Sequence, residues 1–322
     1  MSEFFSPKEV AKAVGVSESS MKRWVDRGLI EASKTAGGHR RLQLDAVLNF
    51  LRESGKSIRD PQAIELPDGC GLDMPASIEE ARELFMRSIL AGDELAARRI
   101  AIDVFVSGYS ISEICDQMVT PTFHGIGNLW QCGDVKVYEE RRACEVCQRT
   151  VHELRRAVPQ GADDQPLAMG GTLDGDPYTI ATSLAELVLR DIGWRAESLG
   201  NMLPFDAIRT AMIEKRPKLF WISATTIRDP RRFVADFNLL FDVAQSTGTA
   251  LVAGGQGLTP DIRQQVRYSQ FSDTYGHLET FGRGLLETEI ERAAAARALQ
   301  EQQEQQGQQG QPASSVPSSS SP

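Results

Sequence analysis

SPKEVAKAVGVSESSMKRWVDRGLIEASKTAGGHRRLQL, residues 6–44, carries the punctuation of a winged helix-turn-helix. Ser6 is a helix cap and Pro7 suits the first helical turn behind it. Val10, Ala13 and Val14 supply an inner apolar face. Gly15 marks a tight turn, Ser17 caps a second helix expected from Glu18 to Arg27, and Gly28 ends it. The exposed side of that helix offers Ser19, Ser20, Lys22 and Arg23. Hydroxyls and cations of this kind reach base edges and phosphates from within a major groove. Lys34 opens KTAGGHRR, in which two glycines make a turn tipped by His39, Arg40 and Arg41. A turn so loaded with cations can grip the phosphate backbone beside the groove.

Charge is distributed to match. The 322-residue chain has a net charge of −9, which taken whole argues against a nucleic-acid partner. Residues 1–60, however, hold 11 Lys/Arg against 8 Asp/Glu, and the remainder 24 against 36. A basic head on an acidic body approaches phosphate while the body is repelled from the duplex. The length suits two or three domains, and 41% hydrophobic residues suffice for sizeable cores. MSEFFSPKEV has neither the basic region nor the apolar run of a signal peptide. No apolar stretch approaches the length of a membrane span. Five cysteines, odd in number and irregularly spaced, suit a reducing compartment. A cytoplasmic location without membrane association is expected.

Composition divides the chain as follows. Residues 1–58 form the DNA-binding head, and 59–76, RDPQAIELPDGCGLDMPA with three prolines, a linker. Residues 77–160 have helical periodicity. Ser77 with Glu80, and Ser110 with Glu113, form capping boxes, and four helices are expected, the last from Val137 to Ala157. From residue 166 to 298 short apolar runs alternate with amphipathic ones. LAMGGT, RAESLG, LFWISA and TALVAGG read as strands, with helices between them. That alternation implies a parallel sheet wrapped by helices, a Rossmann-like, flavodoxin-like domain. Residues 299–322, rich in Gln, Gly, Ser and Pro, bury no core and are expected to be disordered. The fold class is therefore α and α/β multidomain.

The head resembles the MerR family of transcription regulators, most specifically in GGHRR. That resemblance implies a dimer on a pseudo-palindromic operator. The body has its own pattern. Asp176 opens DPYTIA, 41 residues precede Ser223-Ala224-Thr225, and another 28 lead to Gly254-Gly255. All three fall at C-terminal strand ends, where open α/β sheets bind ligands. The pattern resembles the cobalamin-binding domain of methionine synthases and mutases, written D-x-H-x-x-G, S-x-L and G-G. There the histidine coordinates cobalt from below, and the serine and glycine pair accommodate the dimethylbenzimidazole tail in a deep slot. Asp176, Ser223, Gly254 and Gly255 match. Tyr178 stands in place of the histidine, Ala181 of the glycine and Thr225 of the leucine.

In the helical region Trp130 is followed by nine residues and then Glu140-Arg141. This resembles the W-x9-E-H of the light-sensing MerR-type repressors of the CarH/LitR group. In that group tryptophan and glutamate cover the upper axial group and the histidine captures cobalt after photolysis. Arg141 replaces that histidine here. An arginine is no metal ligand, and a phenol is a poor one for cobalt at neutral pH. A bis-histidine photochemical switch is therefore not expected.

Three readings of the body stay open. It takes a cobalamin without a protein lower ligand; it takes another tetrapyrrole, with Tyr178 as a conceivable haem ligand; or it takes no cofactor and serves dimerisation or a protein partner. The methyl of Ala181 favours the third, since it crowds an approach that glycine permits. Cys144-x-x-Cys147 lies within a predicted helix and reads as packing thiols, so no metal site is expected. Trp194 and Trp221 read as core. The whole describes a non-enzymatic transcription regulator, a repressor by resemblance. Its expected partners are operator DNA, further copies of itself as dimer or tetramer, and RNA polymerase or a regulatory protein. The rival class is a corrinoid carrier or enzyme domain.

Overall fold

The computed structural model describes residues 4–72 and 74–309. The head contains β1 (Phe4–Phe5), α1 (Pro7–Val14), α2 (Glu18–Asp26), β2 (Ser33–Lys34), β3 (Arg40–Gln43) and α3 (Leu44–Ser54). Its strands pair antiparallel in the order β1-β3-β2. Ser6 and Glu9 cap α1 reciprocally: the Ser6 amide donates to Glu9 Oε2 at 2.6 Å and the Glu9 amide to Ser6 Oγ at 3.3 Å. Gly15 ends α1 with φ of 74°, and a Cβ there would fall 2.9 Å from Arg59 Cγ. Only glycine permits both the conformation and the approach. Val10, Ala13, Met21, Leu42, Leu48 and Leu51 form the fully buried centre.

Residues 59–71 of the segment expected to be a linker are packed against both neighbours. The amides of Arg59 and Asp60 donate to the Ala13 carbonyl. A 3-10 turn at Pro61–Ile64 follows, and Ile64, Leu66 and Cys70 are buried. The Gly71 amide reaches Asp103 Oδ1 at 2.7 Å. Scattered apolar side chains without periodicity are enough to seat the segment.

The bundle follows: α4 (Ile78–Ala91), α5 (Glu94–Val106), α6 (Ile111–Glu113), α7 (Thr120–Cys132) and α8 (Val137–Ala157). A π-helical segment, Ile114–Val119, makes α6 and α7 one continuous rod, so the expected four helices are present. The widening comes just before Pro121, which has no amide for the usual bond back to residue 117.

The last layer is β4 (Leu167–Gly171), α9 (Ile180–Asp191), β5 (Arg195–Ser198), α10 (Phe205–Lys215), β6 (Leu219–Ser223), α11 (Pro230–Thr247), β7 (Ala250–Gly254), α12 (Pro260–Arg263), β8 (Gln270–Ser272) and α13 (Tyr275–Gln309). The five strands are parallel in the order β5-β4-β6-β7-β8, the flavodoxin-like winding. One face, with Ala168, Ala196, Leu219, Trp221 and Val252, packs under α9 and α13. The other, with Met169, Phe220, Ile222, Leu251 and Ala253, packs under α10 and α11. Period-2 alternation on strands buried on both sides produces this division.

Where disorder is expected from residue 299, α13 instead continues to Gln309. Alanine, glutamine and glutamate favour helix even where they have no core to join. Residues 310–322 of that expected tail lie outside the described residues. No described helix is long and apolar enough to cross a membrane.

Candidate functional site

In the head, α2 presents Ser19, Lys22 and Arg23 to solvent, with Ser20 half-buried. Ser17 Oγ accepts the Ser20 amide at 3.1 Å and lies 2.9 Å from the hydroxyls of both Ser19 and Ser20. Those two hydroxyls are thus held in a fixed cap at the end of the helix that would enter a groove. Lys22 is paired to Glu18 at 2.7 Å. Arg23 donates to Ser20 Oγ at 3.3 Å. On the wing the Thr35 amide donates to the His39 carbonyl at 2.9 Å, and Gly38 adopts φ of 78° to close the turn. Lys34, His39 and Arg41 are exposed. Arg40 instead pairs with Asp26 of α2, joining wing to helix. The eight residues read from sequence therefore lie on one rigid unit, with Arg40 as a brace within it. Arg27, exposed at the end of α2, adds a cation that the sequence reading used only as a boundary.

In the body, the motif residues meet at the C-terminal strand ends, but they bind one another. Asp176 is 2% exposed. Its Oδ2 accepts the amides of Thr225 at 2.6 Å and Thr226 at 3.3 Å, and its Oδ1 accepts that of Tyr178 at 3.2 Å. One carboxylate thus ties the loop after β4 to the loop after β6. Burial raises its pKa, and the three amides offset only part of that rise. The glycine pair is explained the same way. A Cβ on Gly255 would fall 2.3 Å from the Ala224 carbonyl oxygen, and one on Gly254 would lie 3.0 Å from that of Ser272. Glycine at position 255 is what lets the Ala224 backbone pack so closely against it. Ser223 is buried and Tyr178 is 37% exposed.

The bundle residues stand elsewhere. Trp130, at the end of α7, is 51% exposed and therefore not core. Arg141 lies 3.5 Å from Glu140 and pairs with it, not with Asp176. Glu140 also accepts from Cys144, whose thiol burial pushes up to about 12. Cys147 is buried, and its thiol is likewise raised by desolvation. Thr179 and Ser183 of the α9 end hold Gln148 of α8 at 2.8 and 3.4 Å. Glu140 lies eight residues earlier, about 12 Å along the helix axis. Glu140 is thus set off from the α9 end that follows the Asp176 loop.

Cobalamin held through its nucleotide tail needs a slot beside the serine and the glycine pair. The Trp221 indole, two residues before Ser223 on the same face of β6 and laid on Gly170, takes up that space. The residues present do not fit a tail-bound cobalamin.

A helix-turn-helix domain model matches residues 4–55, and a B12 binding domain model matches residues 81–155, the bundle. The chain thus carries a helix-turn-helix domain at its head, and its bundle is of the B12 binding domain type. It is similar to the HTH-type transcriptional repressor CarA of Myxococcus xanthus, 23% identical over 270 residues that cover 80% of this chain and 88% of the relative. It is also similar to the HTH-type transcriptional repressor CarH of the same organism, 21% identical over 240 residues, 69% of this chain and 79% of the relative. Among solved structures, the monomethylamine corrinoid protein of Methanosarcina barkeri superposes with a TM-score of 0.56 at 11% identity, over 65% of this chain and 100% of that one. That likeness shows the arrangement of bundle and parallel sheet.

Two features of the site have no signal in sequence. Asp191, the last residue of α9, accepts Arg52 of α3 at 2.7 Å and the Ile111 amide of α6 at 3.1 Å. Arg52 also lies over the Phe105 ring at 4.7 Å. Head, bundle and sheet domain therefore meet at one carboxylate. Asp116, in the π segment, accepts the Tyr275 and Gly276 amides at 2.9 and 2.8 Å and so caps α13.

Proposed function

We propose that this protein is a transcriptional repressor that binds operator DNA through its head. Its body sets the oligomeric state and the posture of the head. The observation that carries the reading is the division of the head's surface. Arg23, Lys34 and Arg41 stand in solvent on α2 and the wing, while α3 is tied to the body through Arg52. A helix-turn-helix oriented in this way has its cationic side available to phosphate. The similarity to two proteins named as transcriptional repressors supports the direction of regulation.

The Asp191 junction supplies the coupling. A carboxylate at the C-terminal end of a helix opposes the helix dipole. Asp191 is held there by Arg52 and by the amide at the N-terminus of α6. Any shift of bundle against sheet changes the partners of Arg52 and hence the seat of α3. A change in assembly of the body then alters DNA affinity through differential contacts, as linkage requires.

A mobility-shift assay with DNA upstream of the protein's own gene tests the reading. Replacing Lys34 and Arg41 together by Ala is expected to weaken binding to all DNA sequences by about tenfold or more, and to lower the salt slope by about 1 per lost phosphate contact. Unchanged affinity and slope would remove the wing from the interface. The same assay on Arg40→Ala separates brace from grip: loss of binding with an unchanged salt slope identifies a brace.

A further inference from the structure

Toward the C-terminal strand ends, the face of the sheet under α9 and α13 is lined by small residues: Gly170 on β4, Ser198 on β5, Ser223 on β6 and Gly254 on β7. Trp221 is the exception. In register it sits beside Gly170 on the neighbouring strand. A Cβ on Gly170 would fall 2.1 to 2.4 Å from the indole atoms Cδ2, Cγ and Cε2. The ring therefore lies across β4 against a bare Cα, an arrangement that any side chain at position 170 would prevent. Its Nε1 donates to Thr182 Oγ1 at 2.9 Å, in the first turn of α9. Thr182 Oγ1 lies 3.4 Å from Ser198 Oγ. Trp221 is 2% exposed.

The flank toward α13 is closed as well. The Tyr275 hydroxyl donates to the Ala181 carbonyl of α9 at 3.1 Å. Burial raises the Tyr275 phenol well above its ordinary range, so it remains a neutral donor. The space between the start of α9 and the strand ends is thus shaped for a flat, fused bicyclic ring with one polar edge meeting a hydroxyl. The chain supplies that ring itself.

We infer that Trp221 is an internal plug, an indole seated where a cobalamin would have to place its benzimidazole base. The protein does not hold a corrinoid by the nucleotide tail. A tail entering from outside must first evict a buried ring and leave Thr182 without its donor. The inference deepens the reading of the body given above and is independent of whether the head binds DNA.

The test compares hydroxocobalamin with hydroxocobinamide, which lacks the nucleotide tail, by absorbance titration of the full-length protein. The wild type is expected to show no preference for cobalamin, including no uptake of either. The Trp221→Gly variant is expected to prefer cobalamin by about tenfold or more, equivalent to about 1.4 kcal/mol. Free 5,6-dimethylbenzimidazole is expected to raise the melting temperature of that variant and leave the wild type unchanged. A wild type that prefers cobalamin by about tenfold or more overturns the inference, whatever the variant does. A folded Trp221→Gly that neither gains the preference nor responds to dimethylbenzimidazole overturns it too. Should that variant not fold, Trp221→Phe carries the same two comparisons with a smaller opening. Mobility shifts on the same preparations keep the two readings apart: absent DNA binding with tail indifference intact refutes the repressor reading alone.

Discussion

The wing of the head and the strand-end loops of the body are both short turns bearing motif residues, yet they use them in opposite ways. On the wing Lys34, His39 and Arg41 stand in solvent, held by a turn whose hydrogen bonds involve backbone and Thr35. At the strand ends Asp176 gives both carboxylate oxygens to backbone amides, and Gly255 admits the Ala224 carbonyl. The first arrangement leaves charge for a partner. The second consumes its polar groups in joining loops, as buried polar groups must when no ligand satisfies them. Two tryptophans repeat the contrast: Trp130 is half exposed at the bundle end, and Trp221 is buried under α9.

The largest effect should come from the buried tryptophan. Trp221→Ala is expected to cost about 3–5 kcal/mol, as for other large aromatic truncations in a core. Urea unfolding monitored by circular dichroism measures it, and a loss below about 1 kcal/mol would show that the indole is not a packed plug. Arg52→Ala comes next. It strips Asp191 of a partner in a site where the two side chains are 19% and 10% exposed. The loss should be about 2 kcal/mol, below the range for fully buried pairs because some solvent reaches the arginine. Equal urea midpoints for variant and wild type would dissolve the three-way junction.

Asp176→Asn should cost about 1–3 kcal/mol, because either orientation of the amide turns its nitrogen toward a backbone donor, that of Tyr178 or those of Thr225 and Thr226. It carries a pH signature as well. Burial raises the folded carboxyl above its ordinary value of 3.8. The folded state therefore binds the proton more tightly than the unfolded one. Its contribution to stability is complete below the ordinary value and is lost as pH rises through the raised one. The variant should lack that downward slope; a slope equal to the wild type's would assign it to another group. Smallest of all is Trp130→Ala, expected to change stability by less than about 0.5 kcal/mol. A larger loss would mean that the bundle end is packed as firmly as the strand ends, and the contrast would fail.

Much of the molecule is legible in its sequence. Caps at Ser6, Ser17, Ser77 and Ser110 and the glycine stops make the helices of head and bundle readable, because these signals act over three or four residues. Strands β4, β6 and β7 are readable because each is a short apolar run bounded by turns, whereas β8, the three residues Gln270–Ser272, is too short and too polar to stand out. Segment 59–76 reads only as a linker because it is anchored by isolated contacts such as Gly71 with Asp103, which leave no periodic pattern. The end of α13 misleads because glutamine-rich composition suggests disorder although the residues favour helix. The pair Gly170-Gly171 finds its reason in neighbours: the Trp221 ring at one, the Gly200 carbonyl 2.7 Å from a Cβ at the other.

By itself the sequence determined most of the helices and the central strands, that the head is basic and the body acidic, and where motif residues stand along the chain. These are matters of local propensity, capping and composition, settled within a few neighbouring residues. Only the tertiary structure decided that Arg40 braces α2, that Asp191 joins three units and that the Trp221 ring lies on Gly170. Each depends on strand register or helix placement between residues 14 to 139 positions apart. Such pairings are selected by the packing of whole faces, so the same residue letters can line a vacant slot in one fold and fill it in another.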